Sequence, residues 1–148
     1  MSTTPPSKHS PRRRNVHARA TGRSASHRHS VLLVEDDLES REALKEYLRL
    51  EGVQVAAADD GGAALDTLRS GFAPCVILLD MNMPGVNGPT FQRERRRQPV
   101  LATVPVIVIS GNERLSAAEC DAEAVLVKPL DLAALRSAIA VTCPEARR

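Results

Sequence analysis

A short apolar run near the middle of the chain ends in a carboxylate. Residues 75–79 are Cys-Val-Ile-Leu-Leu, Asp80 follows them, and residues 81–85 have the composition of a loop. An apolar run of this length between turn signals is typical of a strand in a parallel sheet that helices cover on both faces. Functional groups of such sheets lie at the carboxyl ends of the strands. The sequence therefore predicts that Asp80 lies at a functional edge.

Three other apolar runs also end in chemically reactive side chains. Residues 30–34 lead into Glu35, Asp36 and Asp37, residues 104–109 lead into Ser110, and residues 124–127 lead into Lys128 and Pro129. The carboxyl ends of parallel strands meet at one edge of a sheet. Acids, a hydroxyl and an amine are therefore predicted to converge there.

Helix signals separate these runs. Helices are predicted at Leu38–Leu50, near 63–69, at 89–98, in a short stretch near 115–120, and at Leu132–Thr142, with a further strand at 53–57. Asp37 and Asp131 are predicted to cap the first and last helices. Five strands alternating with five helices predict an α/β three-layer sandwich around a five-stranded parallel sheet. Right-handed crossovers favour the flavodoxin-like strand order 2-1-3-4-5.

That order makes the first and third strands neighbours, so Glu35, Asp36 and Asp80 should share a crevice. Crowded carboxylates repel one another, and Mg²⁺ prefers a few oxygen ligands of this kind. The alternatives are that residues 35–37 only cap a helix and that Asp80 is an ordinary loop acid. A carboxylate whose charge a metal offsets can attack a phosphoryl group. Taken alone, Ser110 would be an ordinary hydroxyl at a strand end and Lys128 an ordinary surface lysine. Together they could contact phosphoryl oxygens.

Four sequence blocks carry a family resemblance. Residues 32–37, 78–85, 106–110 and 127–129 resemble the four signature blocks of the receiver domain of two-component response regulators. The blocks occur in the same order with fitting spacing, and the resemblance covers residues 30 to about 142. It implies a receiver domain at 30–143 and a short C-terminal tail at 144–148, while the composition of 1–29 predicts a disordered basic tail.

The resemblance also implies roles for individual residues. Asp80 would accept a phosphoryl group from a histidine kinase or a histidine phosphotransfer protein, and the domain would slowly hydrolyse its own acyl phosphate. Ser110 would be the switch hydroxyl and Lys128 the lysine that contacts the phosphate. The peptide bond between Lys128 and Pro129 is expected to be cis, since proline is almost the only residue that permits one.

The same resemblance implies a magnesium site. Glu35 and Asp36 would form an acidic pair, and Mg²⁺ would bind to this pair and to Asp80, alongside the backbone carbonyl of Asn82.

A haloacid-dehalogenase-like phosphatase is the rival class, because it also uses a strand-end aspartate followed by a hydroxyl and a lysine. Its nucleophile motif has a second aspartate where this chain has Asn82, and its additional acids follow the lysine.

Several positions depart from the family pattern. Val125 replaces the aromatic residue that normally turns inward on phosphorylation, and the fourth helix is shortened by about one turn. We therefore expect weak signalling through that face. Asn87 stands where aspartate is common, and Arg95, with Arg93, Arg96 and Arg97, is predicted to form a solvated face. A receiver-fold binding module with little or no phosphate-driven switching is the functional alternative.

Residues 1–29 are rich in basic residues and contain no acid. They hold seven of the 20 Lys and Arg residues and all four histidines, which leaves 13 basic against 18 acidic residues in 30–148. The tail could be an inert solvated extension, the product of a start codon assigned too far upstream, or a basic arm that contacts nucleic acid weakly. An organelle transit peptide fits least well, because the segment is rich in His and Pro.

The rest of the composition indicates a cytoplasmic protein without a membrane partner. No stretch approaches the roughly 18 apolar residues of a membrane helix, and no segment resembles a signal peptide with its apolar middle. Cys75, Cys120 and Cys143 match neither a disulfide framework nor a metal-ligand spacing. Cys75 is predicted to pack as a small hydrophobic residue. Because the chain ends soon after its last helix, we expect a stand-alone receiver with no output domain.

Overall fold

The computed structural model of the chain describes residues 29–81 and 88–143. The predictions for the tails 1–28 and 144–148, for the carbonyl of Asn82 and for Asn87 lie outside these residues. Five parallel strands form one sheet: β1 (Ser30–Val34), β2 (Gln54–Ala58), β3 (Val76–Asp80), β4 (Val106–Ser110) and β5 (Ala124–Val127). Their order is β2-β1-β3-β4-β5, which confirms the predicted flavodoxin-like topology.

Each strand is followed by a helix, and one additional helical turn lies before β4. The helices are α1 (Leu38–Leu50), α2 (Gly61–Arg69), α3 (Gly88–Arg96), α4 (Pro99–Ala102), α5 (Ala117–Cys120) and α6 (Leu132–Thr142). The single helix predicted at 89–98 is wrong at its C-terminal end. Pro99 starts the separate turn α4, where its missing N–H costs no hydrogen bond. The shortened fourth helix is confirmed as the four-residue α5.

Alternate residues of the buried strands face opposite layers of the sandwich. Leu32 and Val34 of β1 pack in a core that includes buried side chains of α2, α3 and α5. Val31 and Leu33 pack in a second core with buried side chains of α1 and α6. This alternation follows from the two-residue repeat of a strand, and it places helices on both faces of the sheet.

The predicted helix caps are present. The side chain of Asp37 accepts a hydrogen bond from the amide of Ser40, at 2.8 Å. The side chain of Asp131 accepts from the amides of Ala133 and Ala134, at 2.9 and 3.3 Å. The helices α1 and α6 each begin a few residues after a strand ends. Their caps therefore lie beside the carboxyl edge of the sheet.

The cysteines correct one prediction. Cys75 and Cys143 are joined by a disulfide with 5.2 Å between their Cα atoms, although 68 residues separate them. Cys75 is buried in the core beside α1 and α6, as predicted, but the expectation of no disulfide is wrong. Cys120 is a free, buried cysteine. The two partners meet because α6 returns its end to the start of β3, which residue spacing does not reveal.

Arg95 corrects a second prediction. Arg93, Arg96 and Arg97 are exposed as expected, whereas Arg95 is only 3% exposed. Its Nη1 donates to three carbonyl oxygens, those of Leu101, Ala102 and Val104, at 3.0, 3.2 and 3.0 Å. Its Nε donates to Oε1 of Gln92 at 2.9 Å. The buried guanidinium therefore donates to carbonyl groups at the end of α4 and in the residues just after it.

Replacing Arg95 with alanine should lower the free energy of unfolding by about 2–4 kcal/mol, because buried carbonyl groups would lose their donors. Arg93 lies on the same helix and is exposed, so Arg93→Ala is a matched control with an expected change within about 0.5 kcal/mol. Urea unfolding followed by circular dichroism measures both. Equal losses in the two variants would contradict the structural role of Arg95.

Within residues 29–81 and 88–143, no helix is both long enough and apolar enough to span a membrane.

Candidate functional site

Asp80 is the last residue of the central strand β3. It pairs in register with Ile109 of β4, and the amide of Met81 donates to the carbonyl of Ile109 at 3.2 Å. Asp80 is only 4% exposed. The sheet therefore holds this carboxylate at the predicted edge, between β1 and β4.

Glu35 and Asp36 follow β1, the neighbouring strand. One carboxylate oxygen from each of Glu35, Asp36 and Asp80 can be chosen so that all three lie within 4.8 Å of one another. Glu35 is 3% exposed, whereas Asp36 is solvent-exposed. Arg41 of α1 donates from Nη1 to the Glu35 carbonyl at 3.0 Å, which ties the acidic loop to the helix. The predicted clustering of these three acids is present.

The environment of Glu35 disfavours its charged form. The pKa of Glu35 is raised from 4.5 to about 7, chiefly by burial, and the charge of Asp80 and a hydrogen bond with its side chain contribute to the rise. The amide of Asp37, which donates to Oε2 of Glu35 at 3.1 Å, and the ammonium of Lys128 act in the opposite direction. Without a cation, the Glu35 carboxyl therefore keeps its proton to a higher pH than an exposed glutamate does.

This raised pKa predicts a pH-dependent stability when divalent cations are removed with EDTA. The folded state binds the Glu35 proton more tightly than the unfolded state, so the stabilisation is complete below about pH 4.5 and is lost as pH rises through about 7. Relative to Glu35→Gln, the wild type should lose up to about 3 kcal/mol between pH 4.5 and pH 8. Urea unfolding across this range checks it. Parallel pH profiles of the two proteins would contradict the prediction.

Lys128 and Ser110 lie on the other side of Asp80, as predicted. Nζ of Lys128 is 3.6 Å from Oδ2 of Asp80, and the Lys128 side chain is 43% exposed. The bond between Lys128 and Pro129 is cis, which confirms that prediction. Ser110 is 1% exposed, and its Oγ accepts from the amide of Asn112 at 3.0 Å. An ammonium and a hydroxyl thus lie on the β4–β5 side of the carboxylate.

Gly88 is a supporting residue that the sequence interpretation missed. A Cβ atom added to Gly88 would lie 2.6 Å from Sδ, 2.8 Å from Cα and 2.9 Å from the carbonyl oxygen of Met81. The start of α3 therefore packs against the residue that follows Asp80, at a distance that only glycine permits. The signal was the glycine directly before Pro89, the proline in the first turn of α3.

The donor set suits a magnesium ion. Three carboxylates provide the hard oxygen ligands that Mg²⁺ prefers. Burial and the charge of Asp80 raise the pKa of Glu35, so a cation there would favour its charged form. The exposed position of Asp36 leaves room for the several waters that Mg²⁺ retains. Asn82, the fourth predicted ligand, lies outside the described residues.

The sequence and the fold identify the family. Residues 31–140 match the response regulator receiver domain family, and the chain therefore belongs to it. Over 109 residues it is 38% identical to the transcriptional regulatory protein PrrA of Mycobacterium tuberculosis, covering 71% of this chain and 46% of PrrA. Over 82 residues it is 40% identical to the C4-dicarboxylate transport transcriptional regulatory protein DctD of Pseudomonas aeruginosa, covering 55% of this chain and 17% of DctD. The chain thus spans less than half the length of these curated relatives.

A solved structure links the fold to magnesium. The receiver domain of a sensor histidine kinase from Pseudomonas aeruginosa, solved with a magnesium ion coordinated in its active site cleft, matches with a TM-score of 0.68 and 27% identity. The match covers 79% of this chain and 98% of that one. A receiver relative therefore binds Mg²⁺ in its site, and this chain carries an acidic cluster at the strand edge.

Proposed function

We propose that this protein is a response regulator that accepts a phosphoryl group on Asp80 from a histidine kinase or a histidine phosphotransfer protein. The observation that carries the proposal is the placement of Asp80 within 3.6 Å of the Lys128 ammonium and within 4.8 Å of two further acids. Receiver domains are generally cytoplasmic, and we propose the same location for this one.

The chain's own groups provide most of the chemistry. A carboxylate oxygen of Asp80 attacks phosphorus, a P–O bond forms and the P–N bond of the donor phosphohistidine breaks, with the imidazole as leaving group. The Lys128 ammonium, on its flexible side chain, offsets charge on one phosphoryl oxygen, and the Ser110 hydroxyl donates to another. Glu35, Asp36 and Asp80 would hold Mg²⁺. When bound, Mg²⁺ offsets the negative charge of the carboxylates and of the incoming phosphoryl oxygens.

A groove beside the site supports the choice of partner. A cavity of about 410 Å³ lies between α1 and the segment that joins β5 to α6, and its lining includes Glu35 and Lys128. Tyr47, Leu130 and Leu132 contribute apolar surface to it. A phosphohistidine on a partner helix could reach Asp80 while neighbouring side chains of that helix cover this groove. We propose that the partner reads α1 and the loops around Asp80, either as the next protein of a phosphorelay or by contact.

The opposite face has little freedom to change. Nε2 of Gln92 donates to the carbonyls of Cys120 and Asp121 at 2.7 and 3.0 Å, which fastens the end of α5 to α3. Val125 is too small to carry the change that an inward-turning aromatic produces. A ligand shifts an equilibrium only through its differential contacts with the two states. These features favour weak output through α5 and β5, and they also support the alternative of a binding module with little switching.

We expect beryllofluoride, a phosphoryl mimic, to alter amide exchange in residues 110–115 and to leave Val125 and α6 nearly unchanged. The loop contacts Ser110 directly, whereas Val125 has no aromatic ring that could turn inward and carry the change beyond the loop. Exchange measured with Mg²⁺ alone is the reference. Large protection changes over Val125 and α6 without any in residues 110–115 would contradict the proposed output.

Acetyl phosphate supplies the direct test of the function. The full chain incubated with acetyl phosphate and Mg²⁺ should gain the mass of one phosphoryl group, and EDTA should prevent the gain. Hydroxylamine should remove it, because an acyl phosphate reacts with that nucleophile. Absence of the mass gain with an intact fold would contradict phosphoacceptor function and favour the binding module.

A further inference from the structure

A histidine and two cysteines converge at the end of the sheet opposite to Asp80. His29 directly precedes β1, Cys75 directly precedes β3, and Cys143 directly follows α6. A ring nitrogen of His29 and the two Sγ atoms lie within 4.8 Å of one another. The length of β3 separates this cluster from Asp80 by roughly 17 Å, at about 3.3 Å per residue. The cluster therefore takes no part in the phosphoacceptor site.

Both cysteines are buried, and Cys75 forms hydrogen bonds with the start of β1. Cys143 is 0% and Cys75 is 8% exposed. The amide of Ser30 donates to Sγ of Cys75 at 3.4 Å, and the amide of Cys75 donates to Oγ of Ser30 at 3.1 Å. The hydrogen bond from the Ser30 amide fixes the Cys75 sulfur beside the start of β1. The starts of β1 and β3 thus position Cys75 for ligation.

A disulfide between the two cysteines does not account for the buried, unpartnered ring nitrogen of His29. Its Nδ1 is shielded from solvent and has no hydrogen-bond partner within the described part of the chain. A buried polar atom without a partner costs free energy in the folded state. When Nδ1 carries no proton, it has a lone pair that a metal ion between His29 and the two sulfurs would accept. The disulfide between Cys75 and Cys143 leaves this lone pair unused.

We propose that the reduced chain binds one Zn²⁺ ion through His29, Cys75 and Cys143. A dithiol supplies two electrons and two protons to the disulfide, which yields two thiols, and Zn²⁺ then displaces both thiol protons. Two thiolates and one imidazole are ligands that suit zinc, and water completes the tetrahedral set. The bound ion fastens the starts of β1 and β3 to the end of α6. Because unfolding separates these segments, zinc binding stabilises the fold.

The test uses the full chain, reduced with a dithiol that is then removed without air, and Co²⁺ as a spectroscopic probe. We expect a 1:1 complex with thiolate-to-Co²⁺ charge-transfer absorption, displaced by one equivalent of Zn²⁺. Native mass spectrometry should show one zinc and the loss of two protons, and zinc should raise the melting temperature. Cys75→Ser and Cys143→Ser should lose the absorption. His29→Ala should weaken zinc binding at least about tenfold, since even loss of an outer-shell partner costs 10- to 100-fold.

The chain offers matched controls for both ligand types. Cys120→Ser removes the free cysteine outside the cluster, and His17→Ala removes another histidine of the chain. Both should bind Co²⁺ and Zn²⁺ as the wild type does. His29→Ala leaves both sulfurs in place, so it decides the matter even if a cysteine variant fails to fold.

Three outcomes would overturn the zinc site. One is a reduced chain that re-forms the disulfide in the presence of Zn²⁺ and shows no charge-transfer absorption with Co²⁺. Another is binding that survives Cys143→Ser in a folded protein. The third is an affinity that His29→Ala leaves unchanged, which would assign the metal to the cysteines alone. Phosphorylation of Asp80 by acetyl phosphate is measured separately, so failure here is distinguishable from failure of the proposed function.

Discussion

Asp80→Asn should abolish the Mg²⁺-dependent gain of phosphate, with a fall in rate of at least about 100-fold. The amide keeps the shape of the carboxylate but is not a nucleophile. Asp80 has two acids within 4.8 Å and an ammonium at 3.6 Å. Intact mass after incubation with acetyl phosphate measures the loss.

Asp59→Asn is a matched control, because Asp59 is an exposed acid that directly follows β2 at the same edge of the sheet. It should be phosphorylated as the wild type is. An Asp80→Asn protein that still gains a metal-dependent phosphate at the wild-type rate would show that Asp80 is not the acceptor. The variant should also lower the pKa of Glu35, since the Asp80 charge is one of the causes that raise it.

Asp36→Ala should weaken Mg²⁺ binding at least about tenfold and prevent phosphorylation, while leaving the fold intact. Mg²⁺ takes few protein ligands, so losing one carboxylate removes a large share of the attraction. Asp36 is exposed, so its removal creates no cavity. Calorimetric Mg²⁺ titration measures the affinity, and circular dichroism checks the fold.

Glu39→Ala is the matched control, because Glu39 is an exposed acid in the first turn of α1 and is not one of the three clustered acids. Its Mg²⁺ affinity should stay near that of the wild type. Identical titrations of the wild type and Asp36→Ala would remove Asp36 from the metal site and leave Glu35 and Asp80 as the protein carboxylates to consider.

Local pattern predicted the elements that carry the site. The bounds of α1, β5 and α6 agree with the structure, because each is marked by a capping aspartate, by turn residues or by an apolar run. Glu35, Asp36, Asp80, Ser110 and Lys128 lie where the strands end, as expected from the order of a parallel sheet. The roles proposed for these residues await the experiments above.

Long-range contacts account for what sequence reasoning missed. The burial of Arg95 depends on carbonyl groups at the end of α4, and α4 was not predicted as a separate turn. The close approach of Gly88 to Met81 depends on how α3 packs beside the loop after β3. The glycine directly before Pro89 is a local signal for a close approach, but it does not name Met81 as the partner, and the burial of Arg95 has no period or motif.

The sequence by itself determined the strands and the chemical groups at their carboxyl ends, because two-residue and 3.6-residue periods and turn residues are local properties of a chain. The handedness of the crossovers then favoured one order of the strands. Tertiary structure alone decided that Arg95 is inside the protein and that Cys143 meets Cys75 across 68 residues. It also placed His29 beside them. Such meetings depend on where whole helices end after they pack on the sheet, and sequence spacing does not encode that distance.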